Sequence, residues 1–350
     1  MSYDPTKPFN KQTLQLIQDT HPKDGPIILE RVGRRFAIKK DYNYWKDFEE
    51  VRTSDTIGTK AKIHWQKRTF TYAAQDAVAM SWNDLIEDGA VPYETQDTIL
   101  IQEEDREAIY SIVKSLRDLC LKHQWKVDEN RSNPVIISGG ETAIVNNVDG
   151  FEIGITATGK VKSNEKVYPN PKEEDALLGL RSSGMNSNGF TFASPVIFDK
   201  LKLDLDDYLY ETTVGEELTK PTPIYVPAIN DLLENHREHV HDLINITGGA
   251  YTKLKDLTKG LFDIAIKRDH EISPQPVFKF VYEYGKFFDS EMYMNLNCGT
   301  GYAALVDSSE KKNCLETLRK HCWSDEIGCV KKGEGLIKIE SKFSNRKVIF

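Results

Sequence analysis

The clearest periodicity in the chain lies between Glu103 and Trp125. In EEDREAIYSIVKSLRDLCLKHQW, residues Ile109, Ile112, Val113, Leu116, Leu119 and Cys120 recur at three- and four-residue steps and predict a helix with one apolar stripe. Acidic residues crowd its start, and Lys122 and His123 its end, as the helix dipole favours. TYAAQDAVAMSWNDLIEDG predicts a second helix, with Ala73, Ala77, Met80 and Leu85 roughly on one side and Gly89 just past the end. AKIHW alternates and reads as a strand. YETQDTILIQ holds another, NPVIISGGETA reads as a buried strand running into glycines, and GFEIGITATGKV as a further strand. Before them, PFNKQTLQLIQDTH suits a short helix and FAIKKD a strand.

VYPNPKEED, 167–175, has two prolines, a charge run and no periodicity, so the expected division is 1–168 and 169–350. Beyond it ALLGLRSSG is a strand entering a loop. FASPVIFDKLKLDLDDYL is mostly helical, and PTPIYVPAINDLLENH opens with prolines as helices do. LINITGGAYTKLKDL repeats the earlier order of apolar strand, two glycines and helix. Strands and helices alternate in both halves, which makes the fold class α/β (α+β).

The balance of 39% hydrophobic and 29% charged residues is that of a folded chain, and 350 residues are comfortable for two domains. A net charge of -8 argues against general nucleic-acid binding, so a polyanion such as a nucleotide must be held locally. No apolar run approaches the ~20 residues of a membrane helix. MSYDPTKPFNKQ lacks the basic-then-apolar pattern of a signal peptide, so the expected location is cytoplasmic. Five cysteines without CxxC spacing predict reduced thiols. Cys314, Cys322 and Cys329 with His321 lack the tight ligand pairs of a zinc site.

Candidate chemistry is sparse when taken motif by motif. Gly139-Gly140 and Gly248-Gly249 each end a predicted strand, where backbone N–H groups cradle phosphate or merely turn. The Walker and GxGxxG patterns are absent, as are GxSxG around Ser182, Ser183 and Ser187 and HExxH among the eight histidines. His236, His239 and His241 fall in a charged segment expected to be solvated. Asp76 and Asn83 stand seven apart, two turns of one helix, in an otherwise apolar stretch; Asp84 is turned about 100° from Asn83.

Six blocks in order resemble the aminoimidazole ribonucleotide synthetase (phosphoribosylformylglycinamidine cyclo-ligase) family: SDTIGTKAKI, QDAVAMSWNDLIEDGAVP, ISGGETA, LRSSGMNSNGFTFA, GEELTKPTPIYV with NITGGAY, and EMYMNLNCGTGY. The resemblance implies two domains, each a mixed sheet packed with helices, and a homodimer through the first domain's strands. It implies ATP and Mg²⁺, and a small-molecule nucleotide substrate. Phosphorylation of the formyl amide oxygen of formylglycinamidine ribonucleotide would be followed by ring closure on an internal nitrogen. By the same resemblance Asp55, Asp76 and Asp84 are metal-side carboxylates, and Thr59 and Lys60 phosphate contacts. Asn83, Gly139, Gly140, Glu141 and Thr142 complete the nucleotide shell. Ser187, Asn188, Thr247, Gly248 and Gly249 line the cleft from the second domain. Two family histidines are replaced by Asn186 and Asn245, which hydrogen-bond but carry no proton near neutral pH. The family's glycine-rich N-terminal segment is reduced to ILERVGRRFAIKKDYNYW, with Gly33 its one glycine, and Thr56 stands for a glycine of the first block. These departures leave a divergent cyclo-ligase, a superfamily relative acting on another amide, acyl or phosphate acceptor, and an inactive nucleotide-binding homologue as the readings.

Overall fold

The computed structural model describes residues 8–32 and 35–350; Met1–Lys7, the start of the segment read for a signal peptide, and Gly33 lie outside the described residues. The chain divides into two compact units, Met1–Lys166 and Val167–Phe350. Mixed sheets packed with helices make up both, as the α/β reading expects.

The first unit opens with α1 (Pro8–Gln18) and a hairpin of β1 (Ile27–Val32) and β2 (Arg35–Lys40), then the one-turn α2 (Tyr42–Trp45). β3 (Phe48–Thr56) leads into α3 (Lys60–Lys67) and α4 (Phe70–Leu85). β4 (Val91–Ile101) and α5 (Arg106–Lys122) follow, then the short pair β5 (Gln124–Lys126) and β6 (Ser132–Pro134). β7 (Ile136–Ile144) and β8 (Phe151–Lys162) complete the unit. The main sheet has the order β3-β8-β4-β7, antiparallel except for the parallel β4–β7 pair.

α4 is buried almost all round: Ala73, Ala74, Ala77, Val78 and Trp82 have no exposed surface. It lies between the sheet and the amphipathic α5, whose Ile109, Ile112, Val113 and Leu116 are buried as the stripe predicts. The segment AKIHW is not the strand that its alternation suggests. It lies inside α3, where the buried set is Lys60, Ala61, Ile63 and His64, a helical spacing. Arg68 ends that helix at a left-handed φ of 56°. The hairpin and α2 are fastened by an aromatic cluster. Trp45 packs on Tyr93, and the buried Lys160 ammonium lies 4.4 Å from the Phe48 ring centre and 4.3 Å from that of Trp125, next to the Tyr44 hydroxyl.

The second unit holds β9 (Ala176–Arg181), α6 (Phe190–Ser194), the small pair β10 (Tyr208–Leu209) and β11 (Thr212–Thr213), α7 (Val214–Leu218) and α8 (Val226–His236). β12 (Val240–Asn245), α9 (Leu254–Leu257), β13 (Phe262–Ile266), α10 (Pro276–Gly285), α11 (Asp289–Asn295) and β14 (Thr300–Val306) come next. α12 (Lys311–Arg319), β15 (Ser324–Lys332), β16 (Ile337–Glu340) and β17 (Lys347–Ile349) end the chain. Its seven-stranded sheet runs β12-β14-β9-β15-β13-β16-β17, with only β13–β16 parallel. β12 and β14 are buried along their whole length; TGYAALV in β14 is a mostly apolar run, whereas β12, VHDLIN, buries His241, Asp242 and Asn245.

His241 is not in a solvated loop. It is the second residue of β12, 3% exposed, with Nδ1 2.7 Å from Asp175 Oδ2. The described cysteines are all free thiols. Among the described residues no helix is long and apolar enough to cross a membrane.

Candidate functional site

In the first unit the strand registers place four expected and unexpected residues in one row. Asp55 on β3 pairs with Ile155 on β8, Ile155 with Asp97 on β4, and Asp97 with Gly140 on β7. Residues directly opposite one another share a face, and two strand spacings put Asp55 and Asp97 roughly 10 Å apart. α4 sits over this row, its Ser81 hydroxyl donating to the Ile155 carbonyl at 2.8 Å. Asp55 is half-buried and accepts from the Thr56 N–H at 2.7 Å. Glu152 is drawn to the same corner and accepts from the N–H of Gly58 at 3.2 Å. Burial raises the Glu152 carboxyl above its ordinary value, and the charge of Asp55 adds to that.

Gly139 and Gly140 do not end a strand before a helix, as the sequence suggested. They lie inside β7, and glycine at 140 has a different reason. A Cβ there would stand 2.7 Å from Asp97 Cγ, so the residue is absent of side chain because the Asp97 carboxylate fills the space. Glu141 is exposed and Thr142 half-buried on the same strand. Asp97 itself is 7% exposed, and burial pushes its carboxyl up to about 7, with Glu141 adding to the rise. Sequence reading missed Asp97. Gly140→Ala is expected to cost about 1–3 kcal/mol by overpacking, and to weaken nucleotide binding by displacing Asp97. Urea unfolding and ATP titration of that variant check it, and unchanged values in both would contradict the packing argument.

Lys60 and Asp76 are brought together, but not as open ligands. Both are fully buried, and Lys60 Nζ lies 2.9 Å from Asp76 Oδ1 and 2.8 Å from Oδ2. His64 Nε2 lies 2.8 Å from Oδ2 of the same carboxylate, and its Nδ1 2.7 Å from Thr69 Oγ1. Burial opposes ionisation of Asp76, yet the Lys60 charge and the His64 bond outweigh it and hold the carboxyl below its usual range. Burial lowers the His64 pKa, leaving it neutral near pH 7. A direct phosphate contact by Lys60 and a metal contact by Asp76 therefore do not describe this arrangement, because each already occupies the other. Asn83 is fully buried and Asp84 half-buried on the last turn of α4. The open groups of this corner are Gly58 and Thr59. Gly58 turns at a φ of 55°, and Thr59 precedes α3 without a side-chain capping bond.

In the second unit the two asparagines come close to the same glycine. Asn245 ends β12 opposite Tyr302, and the neighbouring Ile246 N–H donates to Gly301 at 3.0 Å. A Cβ on Gly301 would stand 3.1 Å from Asn186 Nδ2 and 2.9 Å from Tyr225 Cζ, so only glycine lets both side chains approach. Asn186 holds a left-handed φ of 58°, which asparagine tolerates better than most residues. Ser187 Oγ is 3.1 Å from Thr222 Oγ1. Asn188 is half-buried nearby in sequence. After β12 the chain turns at Gly249, φ 83°, with Gly248 and Gly249 exposed. Lys253 reaches back, donating to the Asn245 carbonyl at 3.1 Å and to Thr247 Oγ1 at 2.9 Å. It places a cation beside the glycine turn. Sequence reading passed over Lys253, although a lysine four residues beyond Gly-Gly is the visible signal.

A magnesium ion takes hard oxygen donors, often one or two carboxylates plus phosphate and water. Asp55, Asp97, Glu141 and Glu152 supply that donor type. Among the described residues no three His, Cys, Asp or Glu side chains form a ready cage.

Known proteins agree with this architecture. Residues 43–161 match the family described as AIR synthase related protein, N-terminal domain, and residues 172–339 its C-terminal domain. The phosphoribosylformylglycinamidine cyclo-ligase of Thermococcus kodakarensis is 35% identical over 84% of this chain and 83% of its own length. That of Pyrococcus horikoshii is 33% identical over 85% and 84%. In fold the chain resembles E. coli HypE, with a TM-score of 0.66, 14% identity, and coverage of 97% of this chain and 96% of that one. It also resembles the hydrogenase maturation protein HypE in complex with ATP, with a TM-score of 0.59, 14% identity and coverage of 99% and 92%. The chain belongs to the AIR synthase related family and, within it, to the phosphoribosylformylglycinamidine cyclo-ligases.

Proposed function

We propose that the chain converts formylglycinamidine ribonucleotide to aminoimidazole ribonucleotide with ATP and Mg²⁺, as a step of purine biosynthesis. The observation that carries this reading is the match to named cyclo-ligases along both units, rather than to one nucleotide-binding half. The formyl amide oxygen attacks the γ-phosphorus and ADP leaves. An internal nitrogen then attacks the activated carbon, and phosphate departs with that oxygen.

In the first unit the exposed Gly58–Thr59 turn offers the Thr59 backbone N–H and hydroxyl to phosphate oxygens. Asp55 and Asp97, which share the face under α4, are the carboxylates that would hold magnesium, which when bound neutralises the moving phosphoryl charge. Lys60 and Asp76 act one layer behind them. In the second unit Thr247, Lys253, Ser187 and the two asparagines are the polar groups that orient substrate. Asn186 and Asn245 can hold a carbonyl or amine by hydrogen bonds but cannot move a proton, so ring closure here relies on positioning the amine against its electrophile. The exposed Ser54 and Thr156, 2.9 Å apart on the sheet's second face, suit a polar homodimer contact of a cytoplasmic enzyme.

Rescue of a purine-requiring strain lacking its cyclo-ligase tests the reading. The chain is expected to restore growth and Asp55→Ala to fail. Stable expression without rescue would point to another acceptor substrate.

A further inference from the structure

The seam between α3 and α4 holds four polar side chains that the reaction does not touch. Lys60 and His64 are four residues apart, one turn of α3, and so share a face. Thr69 immediately precedes α4, and Asp76 follows seven residues on, two turns along the same side. Asp76 accepts from Lys60 on both oxygens and from His64 on Oδ2. A carboxylate only accepts, so His64 Nε2 carries the hydrogen. The neutral ring then accepts at Nδ1, and the Thr69 hydroxyl is the donor.

Thr69 stands where a threonine ordinarily caps its helix, yet it makes no side-chain capping bond. Its hydroxyl is diverted to His64. The diversion gives up a common local stabilisation for a contact whose visible product is the fixed attitude of α3. Directly before α3 is the exposed Gly58–Thr59 turn, and Ile57 beside it is 1% exposed. His64 lies one residue beyond the block SDTIGTKAKI that resembles the family.

We propose that His64 and Thr69 are positioning residues: with Lys60 and Asp76 they form a buried strut that sets the place of the Gly58–Thr59 turn and hence the affinity for ATP. This rests on the nucleotide reading above. His64 holds the second acceptor side of Asp76, so the carboxylate keeps both oxygens on Lys60. Without that donor the carboxylate turns about its own bond, Lys60 follows, and the start of α3 shifts.

The test uses the full chain, with ATP and magnesium and no acceptor substrate, in titration calorimetry. Circular dichroism and Tm are recorded alongside. His64→Leu is expected to weaken ATP binding at least tenfold while helix content stays unchanged. His64→Gln restores a donor to Asp76 and is expected within threefold of the unsubstituted protein. Thr69→Val, nearly isosteric, is expected to weaken binding about threefold through loss of the proton offered to Nδ1. A merely structural role would lower Tm in proportion to the damage and leave affinity alone. A folded His64→Leu protein binding ATP within twofold of normal overturns the strut. Should His64→Leu not fold, Thr69→Val decides, and normal affinity there overturns it equally. Failure of the unsubstituted protein to bind ATP overturns the nucleotide reading itself, an outcome no variant can mimic.

Discussion

Asp76→Ala should destabilise the protein by about 3–5 kcal/mol, the range for removing one partner of a buried ion pair. The Lys60 ammonium would be left fully buried with its carboxylate gone, and His64 would lose its acceptor. Neither can reach water without opening the α3–α4 seam. Urea unfolding measures the loss. Lys60→Met added to Asp76→Ala is expected to recover much of it, because the double variant leaves no unpaired charge; contacting sites are where additivity fails. If the single variant lost less than about 1 kcal/mol, the pair would be solvated and the buried strut wrong. The same substitution should also weaken ATP binding, since the Gly58–Thr59 turn is carried on α3.

Asp97→Asn is expected to do the opposite to stability and to harm activity. Burial pushes the Asp97 carboxyl from an ordinary 3.8 up to about 7, so the native state holds this proton more tightly than the unfolded chain does. For a raised carboxylate the sign is the reverse of the usual acid case. Stability is greatest below about 4, declines as pH rises through that interval, and the loss is complete above about 7. A rise from 3.8 to about 7 is near three units, so the penalty at pH 8 is on the order of 2–4 kcal/mol at 1.36 kcal/mol per unit. Asn fits the same space without that penalty. Without nucleotide or magnesium, the variant should melt above the unsubstituted protein at pH 8, by less at pH 5, and level with it only below about pH 4. Turnover with ATP should fall by about 100-fold, as for loss of an oriented polar partner in a metal site. Identical pH dependence in both proteins would contradict the buried-carboxylate account.

The longest periodic segments were legible in the sequence because their signals are local. α4, α5, β8, β9 and α8 follow from apolar spacing and end residues alone. α3 was not legible, since five residues that alternate also satisfy part of a helical pattern, and its inward residues include a lysine and a histidine. Only packing against α4 gives those two a reason to be inside. Asp97 was hidden for a related reason. In QDT three polar residues follow one another, and nothing local says which one faces the helices. The pairing of β4 with both β7 and β8 decides that, across separations of about forty and sixty residues. Gly140 was visible as a glycine but not as the residue that makes room for Asp97. Of the site in the second unit, Thr247–Gly249 was visible through its turn chemistry, whereas Gly301 between Asn186 and Tyr225 required the sheet. His241 was misplaced because a polar, charged neighbourhood in sequence became the start of β12, an edge strand buried along its whole length.

The most direct test of the central claim is the product balance of the purified protein. With ATP, magnesium and formylglycinamidine ribonucleotide, the account predicts one ADP released for each aminoimidazole ribonucleotide formed, and almost no ADP when that substrate is omitted. ADP release at the same rate with and without it, or none despite bound ATP, would contradict assignment of this chain as a working cyclo-ligase.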